Sequence, residues 1–194
     1  MEDPMFIETE TTPNPATLKF LPGRMVMPEG TLEIRDRQAA QHSPLARRLF
    51  AVQGVSSVFY GGDFVSVTKA DGEWQHLKPA ILGGIMEHFL SGEPLFDGAE
   101  AEQAAHQAAH DDEFFDPKDQ QTVATIKELI ETRVRPAVAG DGGDITFRGF
   151  RDGVVYLTMK GSCAGCPSST ATLKHGIQNL LRHFLPDVRE VEAY

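Results

Sequence analysis

Apolar and polar positions along this chain change period several times, and each change marks an element. Met5-Phe6-Ile7-Glu8-Thr9-Glu10 and Thr17-Leu18-Lys19-Phe20-Leu21 read as two short strands. Between them Thr12-Pro13-Asn14-Pro15 predicts a turn, because both prolines restrict the backbone and remove donors. Residues 25–28 and 31–34 add short extended pieces. Ser43-Pro44 is the pattern of an N-cap followed by proline at the first helical position, and Leu45, Leu49 and Val52 then share a face up to Gly54. Residues 55–60 and 64–68 flank Gly61-Gly62-Asp63, which predicts a hairpin. From Glu73 the apolar residues Leu77, Ile81, Ile85 and Phe89 recur every four positions, a helix ending near Ser91-Gly92, with Pro79 predicting a later start or a kink. Strands and helices in this order make a small α+β domain over residues 1–97. It holds no cysteine, and His42, His76 and His88 lack metal-ligand spacing.

The pattern then lapses. Residues 98–117 are rich in alanine, carry Glu100, Glu102, Asp111, Asp112, Glu113 and Asp116, and contain no lysine or arginine. That composition predicts an acidic, flexible linker whose ends are anchored by Phe96, Phe114 and Phe115. His106 and His110 stand four apart inside it, with no third ligand. A second α+β domain is expected over 118–194. Val123, Ile126, Ile130 and Val134 define a helix closed by Pro136. Ala139-Gly140-Asp141-Gly142-Gly143-Asp144 reads as a turn, without a phosphate-binding pattern. Two strands follow around Asp152-Gly153, then a helix on Leu173, Ile177, Leu180, Leu181 and Phe184, then a last strand over 188–194.

Composition narrows the function. The 194 residues carry a formal net charge of -10, which argues against nucleic acid as a partner. No apolar run is long enough to span a membrane. The first residues, Met1-Glu2-Asp3-Pro4, resemble neither a secretory signal nor a transit peptide, so the bacterial cytoplasm is the expected compartment. A mitochondrial matrix, after removal of a leader, is the alternative. Two cysteines in a chain of this size do not make a disulfide scaffold, and a reducing compartment follows.

Those two cysteines carry the chemistry. Cys163 and Cys166 lie in Gly161-Ser162-Cys163-Ala164-Gly165-Cys166-Pro167-Ser168-Ser169, between a run of strand formers and a helix. A helix N-terminus favours thiolate. Four readings compete. Two packed core thiols suit a loop of glycine, proline and serine poorly. A thiol–disulfide oxidoreductase of thioredoxin type expects a parallel strand–helix–strand context, whereas the preceding element reads as an antiparallel hairpin. Structural zinc needs four ligands, so it would have to be shared between chains; His175 and His183 are the nearest histidines. An iron–sulfur cluster takes four thiolates, so two copies of the chain would each donate Cys163 and Cys166.

Arg135-Pro136-Ala137-Val138-Ala139-Gly140-Asp141-Gly142-Gly143-Asp144-Ile145, followed by the cysteine stretch, resembles the C-terminal domain of the NifU-like (Nfu) iron–sulfur proteins. Thr12-Pro13-Asn14-Pro15 and Leu18-Lys19-Phe20 are similar to the N-terminal domain of the bacterial and mitochondrial members. The resemblance implies a scaffold or carrier, not an enzyme. It would bind a [4Fe–4S] cluster, with [2Fe–2S] the alternative, across a homodimer through Cys163 and Cys166. It implies an upstream assembly scaffold as donor and apo-enzymes of lipoyl synthase or aconitase type as recipients, with the first domain as a docking module.

Overall fold

Alternation of apolar and polar residues builds one sheet in each half of the chain, and each half buries that sheet's apolar side under helices. A computed structural model of the protein describes residues 5–98 and 113–194. The chain divides between His110 and Asp111 into two compact units, each with its own core. Most of the 98–117 stretch, with His106 and His110, lies outside the described residues.

The first unit runs β1 (Glu8–Thr11), β2 (Thr17–Leu21), β3 (Leu32–Ile34), α1 (Pro44–Phe50), β4 (Val55–Tyr60), β5 (Val65–Lys69) and α2 (Trp74–Ser91). Its five strands form an antiparallel sheet in the order β1-β2-β5-β4-β3. Ser43 caps α1: its hydroxyl accepts the Ala46 N–H at 3.3 Å and pairs with the buried Tyr60 hydroxyl at 2.7 Å. One residue thus starts the helix and ties it to β4. On α2, Leu77, Ile81, Ile85 and His88 face the core. The helix begins at Trp74 and passes through Pro79 without a later start. Pro79 is the sixth helical residue, past the first turn, and supplies no N–H to the carbonyl four residues back; the helix nevertheless runs on through it. Residues 25–28 form no strand; the N–H groups of Val26 and Met27 both donate to the Gly62 carbonyl, at 2.7 and 3.2 Å, which seats both side chains in the core.

The second unit runs β6 (Phe114–Phe115), α3 (Gln120–Leu129), a π-helical turn over Ile130–Val134, α4 (Arg135–Gly140), β7 (Gly143–Arg151), β8 (Val154–Gly161), α5 (Pro167–Phe184) and β9 (Glu190–Ala193). The sheet order is β6-β7-β8-β9. β7 and β8 are antiparallel around Asp152 and Gly153, whose φ values of 52° and 80° are those of a primed hairpin turn.

Two expectations change here, and a strand direction that the sequence leaves open is set. Pro136 does not close the helix. The Arg135 N–H reaches back five residues to Ile130, and this wider turn accommodates the missing proline donor and carries the chain on to Gly140, burying Val138. Phe114 and Phe115 do more than end a linker: they form β6, parallel to β7, and the Phe114 ring lies where a Cβ on Gly149 would be. The last strand, β9, runs parallel to β8. The connection β8–α5–β9 is therefore a parallel strand–helix–strand crossover, and the cysteine loop sits at its first corner.

Candidate functional site

β8 delivers the chain to the site through Gly161, and Gly165 turns it into α5; their φ values of 69° and 80° lie in the left-handed region, which only glycine occupies freely. Between them Cys163 is buried, at 6% exposure, whereas Cys166 is half-buried and is the N-cap residue of α5, with Pro167 at the first helical position. Both thiols are free. The Thr170 hydroxyl donates to the Cys163 carbonyl at 2.8 Å, and the Ser169 hydroxyl to the Cys166 carbonyl at 3.2 Å. The first turn of α5 thus holds both cysteine backbones.

The loop rests on the start of β7. An added Cβ on Gly143 would stand 2.6 Å from the Lys160 carbonyl oxygen and 3.0 Å from the Cys163 sulfur, so only glycine lets the loop lie this close. The Ser162 N–H donates to the Gly142 carbonyl at 3.3 Å, and its hydroxyl donates to the Asp141 carbonyl. Next along, Asp144 is buried at 3% exposure and receives a forked pair of bonds from Arg135: Nε to Oδ1 at 2.8 Å and Nη2 to Oδ2 at 2.9 Å. Arg135 Nη1 also meets Glu131 at 2.7 Å. A buried carboxylate needs such a partner.

The two thiols are electrostatically unequal. Hydrogen bonds from Ser169, then Ser168, stabilise the Cys166 thiolate and bring its pKa down to about 7. Burial pushes the Cys163 thiol up; the Ser162 hydroxyl opposes this, and the Asp141 and Asp144 carboxylates reinforce it. Cys166 is thus the readily ionised, accessible thiol, and Cys163 the enclosed one.

Among the described residues, no group of three or more His, Cys, Asp or Glu side chains is gathered as a metal would need. His175 and His183 are exposed on α5, the latter edge-on to Phe184. Among the described residues the donor set is therefore two thiols, half of a four-thiolate centre, so zinc and an iron–sulfur cluster alike would draw their remaining ligands from a second chain. Periodicity finds Cys163 and Cys166 but treats 139–144 as a mere turn, so Gly143, Asp144 and Arg135 escape it as site residues. The available signal is an aspartate at the opening of a strand, directly after Gly142-Gly143 and nine positions after an arginine.

A family model described as "Scaffold protein Nfu/NifU N terminal" matches residues 7–92, and one described as "NifU-like domain" matches residues 126–192. Over 191 residues the chain is 49% identical to "NifU-like protein 5, mitochondrial" of Arabidopsis thaliana, covering 97% of this chain and 67% of that protein. A second Arabidopsis thaliana relative, "NifU-like protein 4, mitochondrial", is 48% identical over 191 residues, covering 97% of this chain and 65% of its own length. The human "NFU1 iron-sulfur cluster scaffold homolog, mitochondrial" is 48% identical over 190 residues, covering 97% of this chain and 71% of that one. The chain thus spans about two thirds of the length of these relatives.

Proposed function

Because the chain belongs to the NifU-like (Nfu) scaffold family, we propose that it carries an iron–sulfur cluster as cargo between two copies of itself and passes it to apo-proteins. The observation that carries this reading is the pair of free thiols on one glycine-bounded loop. Two per chain is half of what a cluster requires, so Cys163 and Cys166 of two subunits complete the set. A cluster held only at a subunit contact is released when that contact opens, which suits delivery. We favour [4Fe–4S] over [2Fe–2S], as the family resemblance implies.

Transfer is ligand exchange. A client thiolate donates its electron pair to an iron as a carrier cysteine leaves with its own, so no oxidant or reductant is consumed. The chain is then a carrier rather than an enzyme. The donor is an upstream assembly scaffold, and the clients are apo-enzymes of the lipoyl synthase or aconitase type. The first unit, which offers no cysteine, docks partners. The named relatives are mitochondrial, which supports an organelle matrix over the bacterial cytoplasm. No helix among the described residues is long and apolar enough to cross a membrane.

A second reading draws on the β8–α5–β9 crossover. It supplies the parallel context of a dithiol oxidoreductase, with an acidic thiol at the helix N-terminus. Anaerobic reconstitution with iron and sulfide separates the two. About two irons and two sulfides per chain, in a dimer, is the expected result, lost in Cys163→Ala and in Cys166→Ala. A monomer without iron, carrying a reducible Cys163–Cys166 disulfide, overturns the carrier reading.

A further inference from the structure

The cysteines of this loop are held by different means. Cys163 lies on Gly143, three residues before the end of its loop, with 6% of its surface exposed; Cys166 projects at the helix start with its Sγ 3.5 Å from the Ser168 hydroxyl. The support under Cys163 is itself anchored. Asp144, next to Gly143 on β7, is clamped by both prongs of the Arg135 guanidinium, and Arg135 follows directly on the π-helical turn. A planar fork on a carboxylate restricts orientation as well as distance, which a single ammonium group does not.

We propose that the two thiols are not interchangeable in transfer: Cys166 is surrendered first to an incoming thiol and Cys163 is retained longest, because the Arg135–Asp144 pair holds Gly143 beneath the Cys163 sulfur. This rests on the carrier reading. In the step concerned, an incoming thiolate forms a bond to iron with its own electron pair, and the bond from that iron to Cys166 Sγ breaks with the pair leaving on sulfur. Charge balances, and the freed thiolate faces solvent. Displacing Cys163 first would instead require its sulfur to move off the iron while the loop is held against Gly143 and the Lys160 carbonyl, with no solvent-facing position to swing into. Arg135 and Asp144 are positioning residues here; their role passes through the backbone of Gly143.

The test uses the full chain, reconstituted anaerobically, with iron and sulfide measured first. The loaded protein is mixed with 2-mercaptoethanol as the exchanging thiol, trapped with iodoacetamide at intervals, and peptide-mapped. Alkylation of Cys166 ahead of Cys163 is the expected result; simultaneous labelling, or Cys163 first, overturns the proposal. Arg135→Gln and Arg135→Lys should both erase the interval and shorten retention of the cargo against a chelator by about tenfold. An interval unchanged in the lysine variant would mean that charge alone suffices, and would overturn the positioning role.

A purely structural role is recognised by a different signature in the apo chain. There, loosening of the whole unit raises the alkylation rates of both cysteines together and lowers the thermal midpoint, whereas loss of positioning raises the Cys163 rate alone. If Arg135→Gln does not fold, the lysine variant, which keeps the charge, carries the comparison. Failure of the carrier reading shows itself separately, as absence of iron and sulfide before any thiol is added.

Discussion

Cys163 and Cys166 differ by two intervening residues in sequence and by a whole environment in space. The thiolate is the reactive species, so its population sets the alkylation rate. With its pKa near 7, Cys166 in the apo chain should gain reactivity as pH rises through neutrality and level off above it. Cys163, pushed upward by burial, should stay slow over that range and rise only in more alkaline solution. Peptide mapping after timed iodoacetamide treatment across pH 6 to 9, as roughly the span between thiolate and thiol dominance, checks this; parallel profiles for the two thiols would refute it. The neighbouring residue to change is Gly143. Alanine there forces a shift against the Lys160 carbonyl and the Cys163 sulfur, at a cost of about 1–3 kcal/mol, seen as a lower denaturation midpoint and weaker cargo retention. The pair of thiols was legible from spacing, but their inequality was not. It arises from a contact with β7, and no local pattern around the cysteines reports that strand's approach.

At the level of elements, short-range signals read well where one side chain satisfies one terminus. Ser43-Pro44 is such a case. Replacing Ser43 by alanine removes the Ala46 cap and takes one of its partners from the buried Tyr60 hydroxyl, which keeps the Ala46 backbone, so a loss of about 1–2 kcal/mol in urea unfolding is expected. No change in midpoint would mean that another donor or water takes its place. Elements whose form depends on distant partners read poorly. Pro136 predicts a stop, yet the widened turn from Ile130 lets the helix continue, and the gain is burial of Val138 in the core. The direction of β9 is decided by how α5 crosses the sheet, and its sequence says nothing of that. Likewise β6 is only two residues long; it forms because Gly149 leaves room for the Phe114 ring beside Tyr156.

For the whole molecule, the two cores share no residue. The first gathers around Phe20, Leu45, Tyr60 and Ile85, and the second around Ile126, Leu157 and Leu181. Residues 113–194 expressed alone should therefore fold and take up the same iron and sulfide per chain as the full protein, while residues 5–98 should take up none. Loss of uptake by the isolated second unit would show that the first contributes to the site. The α+β class and the two-unit plan were legible from composition and period, because each unit repeats its own alternation of strands and helices. Compositional change alone marks the end of the linker less sharply, since Phe114 pairs with β7 in the midst of acidic residues.

The support beneath the cysteines has a hereditary consequence. Arg135, Gly143, Asp144, Ser162 and Thr170, with the two thiols they hold, all fall in one continuous stretch of chain. A gene segment encoding that stretch and its flanking helices carries the thiols together with the contacts that hold them wherever it is spliced. Under the carrier reading that stretch is inherited as one unit, and a change of the glycine on β7 has to be accommodated by the loop that lies upon it.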